Sequence, residues 1–442
     1  MAPDTTRPNA LESYWLPFTA NRAFKARPRL IARAKGLYYE TPDGRQILDA
    51  TSGLYCVNAG HGRPEIAAAI KASADTLDFA PPFQHAHPQV FEFAARVAAL
   101  APGDLDYVML ASSGSEAVET ALKLALAYHR VKDDCGRTRL IGRERGYHGA
   151  GFGGTAAGGM FNNKKQFGAL VAGVDHIATT YNREKQGFSI GEPAWGAELA
   201  DDLSRVIALH GAESIAAVIV EPVAGSTGCL PPPKGYLERL RAITTANGIL
   251  LIFDEVITGF GRLGYAFAAE RYGIVPDIIT FAKGAANGAA PLSGTIVRKG
   301  IYDAFMQGPE TQIELFHGFT YSGHPLSVAA GCAALDVYRD QGLFERARAI
   351  EPMFAEILMG LKAARHVVDI RPIGLMCGVD LAPRPDAPGA RGFEVIERAF
   401  HDFGLYVRVV GDTLVIAPPL IAGLDDIALI AERVSKVLET LA

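Results

Sequence analysis

Four groups able to do chemistry stand where short apolar runs end: the Ser112–Ser115 cluster, Glu221, Asp254 and Lys283. Lys283 follows Asp277–Ala282 and precedes Gly284-Ala-Ala-Asn-Gly-Ala-Ala290, so no carboxylate partner lies near it in sequence. A lysine in a dry pocket has a lowered pKa and becomes an amine nucleophile for a carbonyl. The alternative is a strand-end lysine that reaches solvent. Asp254 follows Ile249-Leu-Leu-Ile-Phe253, and an acid ending so apolar a run needs a partner. A metal, an arginine, a protonated heterocyclic nitrogen or the backbone of a capped helix would each serve. An aspartate facing a pyridinium nitrogen, combined with a Schiff-base lysine, is what pyridoxal phosphate chemistry requires.

These residues converge only if the right elements carry them. Tyr107–Ala111, Ala216–Val220, Ile249–Phe253 and Asp277–Phe281 read as strands, with helical patterns at Glu116–Arg130 and Gly235–Ala246. Apolar runs of four to six residues alternating with helical stretches predict an α/β fold with a mostly parallel sheet. Right-handed crossovers bring the strand ends to one edge, where ligands bind. Ser113-Gly114-Ser115 then sits between a strand and a helix, where hydroxyls, backbone N–H groups and a helix N-terminus suit a phosphate. A plain N-cap explains the serines equally well.

Further on, Phe344–Ala364 and Arg391–Phe403 read as helices, Leu405–Val410 and Thr413–Ala417 as short strands. The last helix places Ile427, Ile430, Ala431, Val434, Val437, Leu438 and Leu441 on one face. This predicts a smaller α+β domain beside the large one.

The 442 residues are 49% hydrophobic and 21% charged, enough for a large core and unlike a disordered chain. Forty-three basic against forty-eight acidic residues give a net charge of -5, with no basic excess to suggest nucleic acid or an anionic membrane. The first twenty residues lack an apolar core of signal-peptide length. The longest uncharged stretch, Leu315–Leu335, is broken by histidines, glycines and Pro325 and does not read as a membrane span. Five scattered cysteines without a CxxC pair argue against structural disulfides and zinc. A reduced, cytoplasmic protein is expected. Gly259-Phe-Gly-Arg-Leu-Gly264 matches the dinucleotide motif GxGxxG but begins five residues past its strand, so it reads as loop or helix start. His85 and His87 have no further metal ligand beside them and read as structural.

Together the segments resemble the class III, or ω-amino acid, aminotransferases of the fold-type I pyridoxal phosphate enzymes. The resemblance spans nearly the whole chain. It rests on Ser113-Gly-Ser-Glu-Ala117, Gly146-Tyr-His-Gly149, Glu221-Pro-Val223, Asp254–Arg262, Ala282-Lys-Gly284 and His317–Pro325, in order. It implies pyridoxal 5'-phosphate held by Lys283 as an internal aldimine, with the freed lysine shuttling a proton during an aldimine–ketimine ping-pong cycle. Asp254 would pair with the pyridine nitrogen, Tyr147 would stack on the ring, and Ser113, Gly114 and Ser115 would bind the phosphate. His148, Val256 and Glu221 would complete the cofactor site, the role of Glu221 varying within the family. Thr320 would reach the phosphate of a neighbouring subunit, implying a homodimer or homotetramer. The implied division is an N-terminal segment 1–59 shared by the small domain and the site, a large cofactor domain 60–330, and a C-terminal small domain 331–442.

Within the family, the chain is most similar to β-alanine/ω-amino acid:pyruvate aminotransferases. Arg408 stands where relatives place a mobile arginine that clamps a substrate carboxylate, a task that suits its two-pronged guanidinium. Phe18, Tyr55 and Phe83 match aromatic substrate-pocket positions, Tyr55 replacing a common tryptophan. The expected substrates are an amino donor such as β-alanine, or a neutral amine such as 1-phenylethylamine, and pyruvate as acceptor. Taurine:pyruvate and 4-aminobutyrate aminotransferases, an aminomutase and a cofactor-free α/β binding protein are the alternative readings.

Overall fold

A run such as Ile215–Val220, apolar on both faces, is stable only inside a sheet covered on both sides. The computed structural model describes residues 11–442 and provides that sheet. Its strands are β1 (Leu105–Ala111), β2 (Arg139–Arg143), β3 (Val174–Ile177), β4 (Ile215–Val220), β5 (Leu250–Asp254), β6 (Ile278–Phe281) and β7 (Ser293–Arg298). They lie in the order β1-β7-β6-β5-β4-β2-β3. β6, β5, β4, β2 and β3 are parallel, and only β7 runs the other way, between β1 and β6. The strands before Ser112, Glu221, Asp254 and Lys283 therefore all end at one edge.

Helix α1 (Gly114–Val131) starts at that edge. Ser113 caps it: its hydroxyl accepts from the Glu116 N–H at 3.2 Å, while Glu116 accepts from the N–H groups of Ser112 and Ser113 at 2.7 and 3.1 Å. Such a reciprocal cap stabilises a helix start by about 1 kcal/mol. β7 carries polar residues that periodicity does not anticipate in a buried strand. Ser293 and Thr295 are satisfied there by donating to the carbonyls of Ser113 and Ala117.

A second sheet is antiparallel, formed by β8 (Val367–Ile373), β9 (Met376–Leu381), β10 (Arg408–Val410) and β11 (Thr413–Ile416) in the order β8-β9-β11-β10. The expectation of one strand over Leu405–Val410 is corrected here. Leu405–Tyr406 pairs in parallel with Gln46–Asp49 of a small N-terminal sheet, whereas Arg408 onward pairs with β11. Val407 lies between them and is buried, so the chain changes sheets around an inward-facing side chain. The final helix, Leu424–Thr440, buries the expected apolar face. Each large side chain in it is worth roughly 1.5–3 kcal/mol of transfer free energy. One core cluster runs from Leu37 through the central sheet to Leu441. No helix among the described residues is long and apolar enough to cross a membrane.

Gly259–Gly264 opens no helix. It forms turns with Gly261 and Gly264 at φ +92° and +80°, and its Arg262 is completely buried. His87 bonds the Gly323 carbonyl at 2.8 Å through Nε2, a structural contact.

Candidate active site

At the carboxyl edge of the large sheet lies a cavity of about 400 Å³. It is lined by Ser113, Gly114, Ser115, Tyr147, His148, Glu221, Asp254, Val256 and Lys283, nine of the expected site residues, drawn from segments up to 170 positions apart. Cys56, Ser112 and the Gly288–Leu292 segment complete much of the wall.

Asp254 ends β5 in register with Thr280 on β6. Thr280 donates its hydroxyl to Oδ1 at 3.1 Å, the Val256 N–H adds a bond at 3.2 Å, and His148 Nδ1 meets Oδ2 at 2.8 Å. The carboxylate is thereby fixed, and His148 Nε2 is left buried without a partner. Sequence reasoning missed Thr280. The signal was present, since it is the one polar residue in the buried run Ile278–Phe281.

Lys283 opens a short turn just past β6 with φ +48°, a left-handed conformation that costs a non-glycine residue on the order of 1 kcal/mol. Its amine is held below the ordinary lysine pKa, first by burial and further by the positive Arg408, against the opposing pull of Cys56 and Asp254. Loss of solvation disfavours the charged form, so the neutral, nucleophilic amine gains population. Glu221 is affected in the opposite sense. Burial raises its carboxyl pKa, while Oε1 accepts from the Tyr147 N–H at 2.9 Å and Oε2 from the Gly225 N–H at 3.0 Å. Glu221 thus fixes both the Tyr147 segment and the loop after β4.

The opposite end of the cavity is the α1 N-terminus. Ser115 Oγ accepts from the Ala150 N–H at 3.0 Å, docking the segment after Tyr147 onto the helix start. Backbone approaches here exclude side chains. A Cβ on Gly149, at φ +93°, would fall 2.6 Å from Ser115 Oγ, and one on Gly114 would fall 3.0 Å from Val256 Cγ1. Hydroxyls, an N-terminal helix dipole and a tight glycine cradle at one end, with a fixed carboxylate and a depressed amine in the same cavity, fit pyridoxal phosphate.

The remaining expected residues lie elsewhere. Arg408 is half-buried on β10, and its charge acts on Tyr55, Tyr147 and Lys283. Among the described residues it has no carboxylate partner, and its Nε is buried without a hydrogen bond. Tyr55 does not line the cavity. It is 2% exposed, packs with Val223, Cys229 and Ile257, and donates its hydroxyl to the Gly225 carbonyl at 3.1 Å. The shorter phenol, with a hydroxyl to satisfy, is anchored in the loop behind Glu221. Phe18 and Phe83 are 78% and 57% exposed, and Thr320 is exposed on the loop before helix α2 (Pro325–Asp340). Within one subunit none of these three lines the cavity.

A strand-end lysine, an anchored aspartate and a phosphate cradle on a mostly parallel sheet define the class, a fold-type I pyridoxal phosphate-dependent transferase. The family model for class III aminotransferases matches residues 19–438, and the chain belongs to that family. It is 54% identical to an omega-aminotransferase of Caulobacter vibrioides over 97% of this chain and 98% of that one. It is 43% identical to a beta-alanine–pyruvate aminotransferase of Pseudomonas aeruginosa, covering 100% of this chain and 99% of that one. Among solved structures it resembles an amine transaminase from an uncultivated Pseudomonas species in the PLP-bound (internal aldimine) form, with a TM-score of 0.91, 34% identity and coverage of 98% and 100%. An (S)-enantioselective omega-transaminase from Thermomicrobium roseum superposes with a TM-score of 0.89 at 33% identity, over 96% of each chain. The protein is an aminotransferase dependent on pyridoxal phosphate.

Proposed function

We propose that the chain moves the amino group of β-alanine, other ω-amino acids and neutral amines such as 1-phenylethylamine onto pyruvate, giving alanine. The observation that carries this reading is Arg408, a guanidinium without a carboxylate partner among the described residues whose field reaches Lys283 and Tyr147. A free guanidinium is a ready fork for the carboxylate of β-alanine or pyruvate. The names of two relatives at 43% identity, a beta-alanine–pyruvate and an omega-amino acid–pyruvate aminotransferase, support the ω-amino acid donor and the pyruvate acceptor.

Bound pyridoxal phosphate supplies the electron sink for the carbon that loses its proton. The chain does the rest. Asp254, held by His148 and Thr280, would be the counter-charge for the ring nitrogen. Ser113, Gly114 and Ser115 would hold the phosphate and Tyr147 would lie against the ring, while His148 and Val256 close the cavity wall and Glu221 ties Tyr147 in place. Lys283 Nζ takes the proton from the donor carbon and returns it within the same cavity. The amino group stays on the enzyme when the first product leaves, so donor and acceptor use one site in turn.

Thr320 is assigned to the phosphate of a neighbouring subunit in a homodimer or homotetramer, and Phe18 and Phe83 to the aromatic rim of the substrate pocket, in a cytoplasmic protein. Segment 1–59, the large domain 60–330 and the small domain 331–442 are its working parts, consistent with the pairing of Gln46–Asp49 to Leu405–Tyr406.

The visible spectrum of the purified holoenzyme tests the reading. The yellow band should bleach on β-alanine alone and return on pyruvate. A band indifferent to β-alanine would reject the donor and direct the work to taurine and 4-aminobutyrate. Arg408→Ala should raise KM for pyruvate far more than KM for 1-phenylethylamine, and equal effects would remove Arg408 from substrate recognition.

A further inference from the structure

Behind the site, Arg371 on β8 organises a buried cluster that the reaction itself does not use. Its guanidinium donates to both oxygens of Asp380, at 2.7 and 2.8 Å, and to Asp369. It also donates to the carbonyls of Gly228 and Cys229, at 2.9 and 3.2 Å. The Tyr181 ring lies 4.5 Å from it, with the phenol oxygen 2.8 Å from a carboxylate oxygen of each aspartate. Arg145 stands 5.0 Å from the same ring and donates to the Thr227 carbonyl at 3.1 Å. Thr413 Oγ1 donates to Asp380 Oδ1 at 2.7 Å. Two arginines balance two aspartates, so the cluster carries no net charge, and a fully bonded network of this kind is rigid.

Each member holds a different segment of the site. Arg145 lies two residues before Tyr147. Thr227, Gly228 and Cys229 belong to the loop that starts at Glu221, whose carboxyl accepts from Gly225. Thr413 opens β11, whose Val415 pairs with Arg408. The backbones leave no slack: a Cβ on Gly378 would fall 2.0 Å from the Gly228 oxygen, and one on Gly228, at φ +110°, 2.8 Å from Thr413 Cγ2. The β10–β11 hairpin cannot slide along the Glu221–Leu230 loop while this cluster is intact.

We propose that the Arg371–Asp380–Thr413 cluster is a positioning device for carboxylate recognition. By fixing the hairpin against the Glu221–Leu230 loop it sets the reach of Arg408, and with it the discrimination between carboxylate-bearing substrates and neutral amines. The proposal rests on the reading of Arg408 as the carboxylate partner. Thr413 is the sensitive point. Without its hydroxyl, Asp380 keeps the donors of Arg371 and Tyr181, so the cluster survives but loosens its hold on the hairpin.

The test compares wild type, Thr413→Val, Thr413→Ser and Arg408→Ala holoenzymes. Propionate, which lacks an amine to react, is titrated by calorimetry, and KM is measured for pyruvate and 1-phenylethylamine. Thr413→Val should raise the propionate Kd and the pyruvate KM by about tenfold, the scale of one lost hydrogen bond to a charged group. KM for 1-phenylethylamine should stay constant, and Thr413→Ser should restore wild-type values. If Thr413→Val leaves propionate binding unchanged, or shifts amine and carboxylate alike, while Arg408→Ala abolishes propionate binding, the positioning role fails and the reading of Arg408 stands. If Arg408→Ala binds propionate normally, that reading fails and the proposal falls with it.

Discussion

Lys283 combines two costs that a structural lysine would not carry: a left-handed backbone and an amine held out of water. The surrounding chain sustains both. Tyr338 donates to the Gly284 carbonyl at 2.7 Å, and Asn287, itself at φ +50°, accepts from the Ala59 N–H and donates to the Gly60 carbonyl at 2.7 and 2.9 Å. A depressed amine pKa means that the folded state binds fewer protons than the unfolded chain between the lowered value and the ordinary 10.5. Apoenzyme stability should therefore rise with pH through that window as the penalty of a buried charge is relieved. Uptake of pyridoxal phosphate by apoenzyme should accelerate with pH and level off below 10.5, followed by growth of the visible band. A midpoint at or above the ordinary value would mean that burial does not tune the amine, and Lys283→Ala should lack the aldimine band, keeping at most the absorption of the free aldehyde. Lysine and aspartate were both legible from strand-end position. Thr280 was signalled only as the one polar residue of its apolar run, and the anchors Asn287 and Tyr338 were not legible, because each acts between segments remote in sequence.

Among the elements, α1 and the segment Gly146–Ala150 build the phosphate end of the cavity by mutual contact. Gly149 permits that contact, since a methyl group there would displace Ser115 and would also strain a backbone at φ +93°. Gly149→Ala should weaken pyridoxal phosphate binding by roughly 5- to 30-fold, equivalent to about 1–2 kcal/mol, measured by titrating apoenzyme. An unchanged Kd would show that Ser115 does not support the phosphate. The strands before Ser112, Glu221, Asp254 and Lys283 were readable because apolar runs with turn signals have no other stable place. β2, β3 and β7 escaped notice because Arg139, Arg143, Asp175 and Ser293 interrupt their patterns, and only their partners make those residues tolerable. Arg143 donates to the Glu221 carbonyl at 2.7 Å, and Arg139 pairs with Asp175 at 2.5 Å.

Across the molecule, the N-terminal segment, the Asp254–Arg262 turn and the C-terminal region meet at Arg262. Its buried guanidinium donates to the carbonyls of Leu375 and Pro418, to Ser52 Oγ and to Asn58 Oδ1, at 2.6–3.0 Å. Burial pushes its pKa down to about 10, yet it keeps its charge at neutral pH and serves acceptors that no other group reaches. Arg262→Ala should cost about 3 kcal/mol or more, read from the urea midpoint, because several buried carbonyls lose their donor together. Activity should fall with it as the segment bearing Tyr55 loosens, whereas a midpoint within error of wild type would remove Arg262 as the junction. Phe83, Phe91, Phe316 and Tyr321 are all more than half exposed, an apolar surface suited to a second copy. Light scattering should give a dimer or a tetramer, and Phe91→Asp should weaken the assembly. A wild-type monomer with full activity would contradict the shared site.

Four strands of the large sheet, their shared carboxyl edge, the family and nine of the residues that line the cavity were legible along the chain, because strand ends and motif order are local properties. Tertiary structure alone decided the second set of positions. It turned Tyr55 inward onto Gly225, split Leu405–Val410 between two sheets, left Arg408 without a counter-ion among the described residues, and put Phe18 and Phe83 outside the cavity of a single subunit. Those outcomes depend on which buried donors and acceptors find each other across the fold, and no spacing along the chain encodes that pairing.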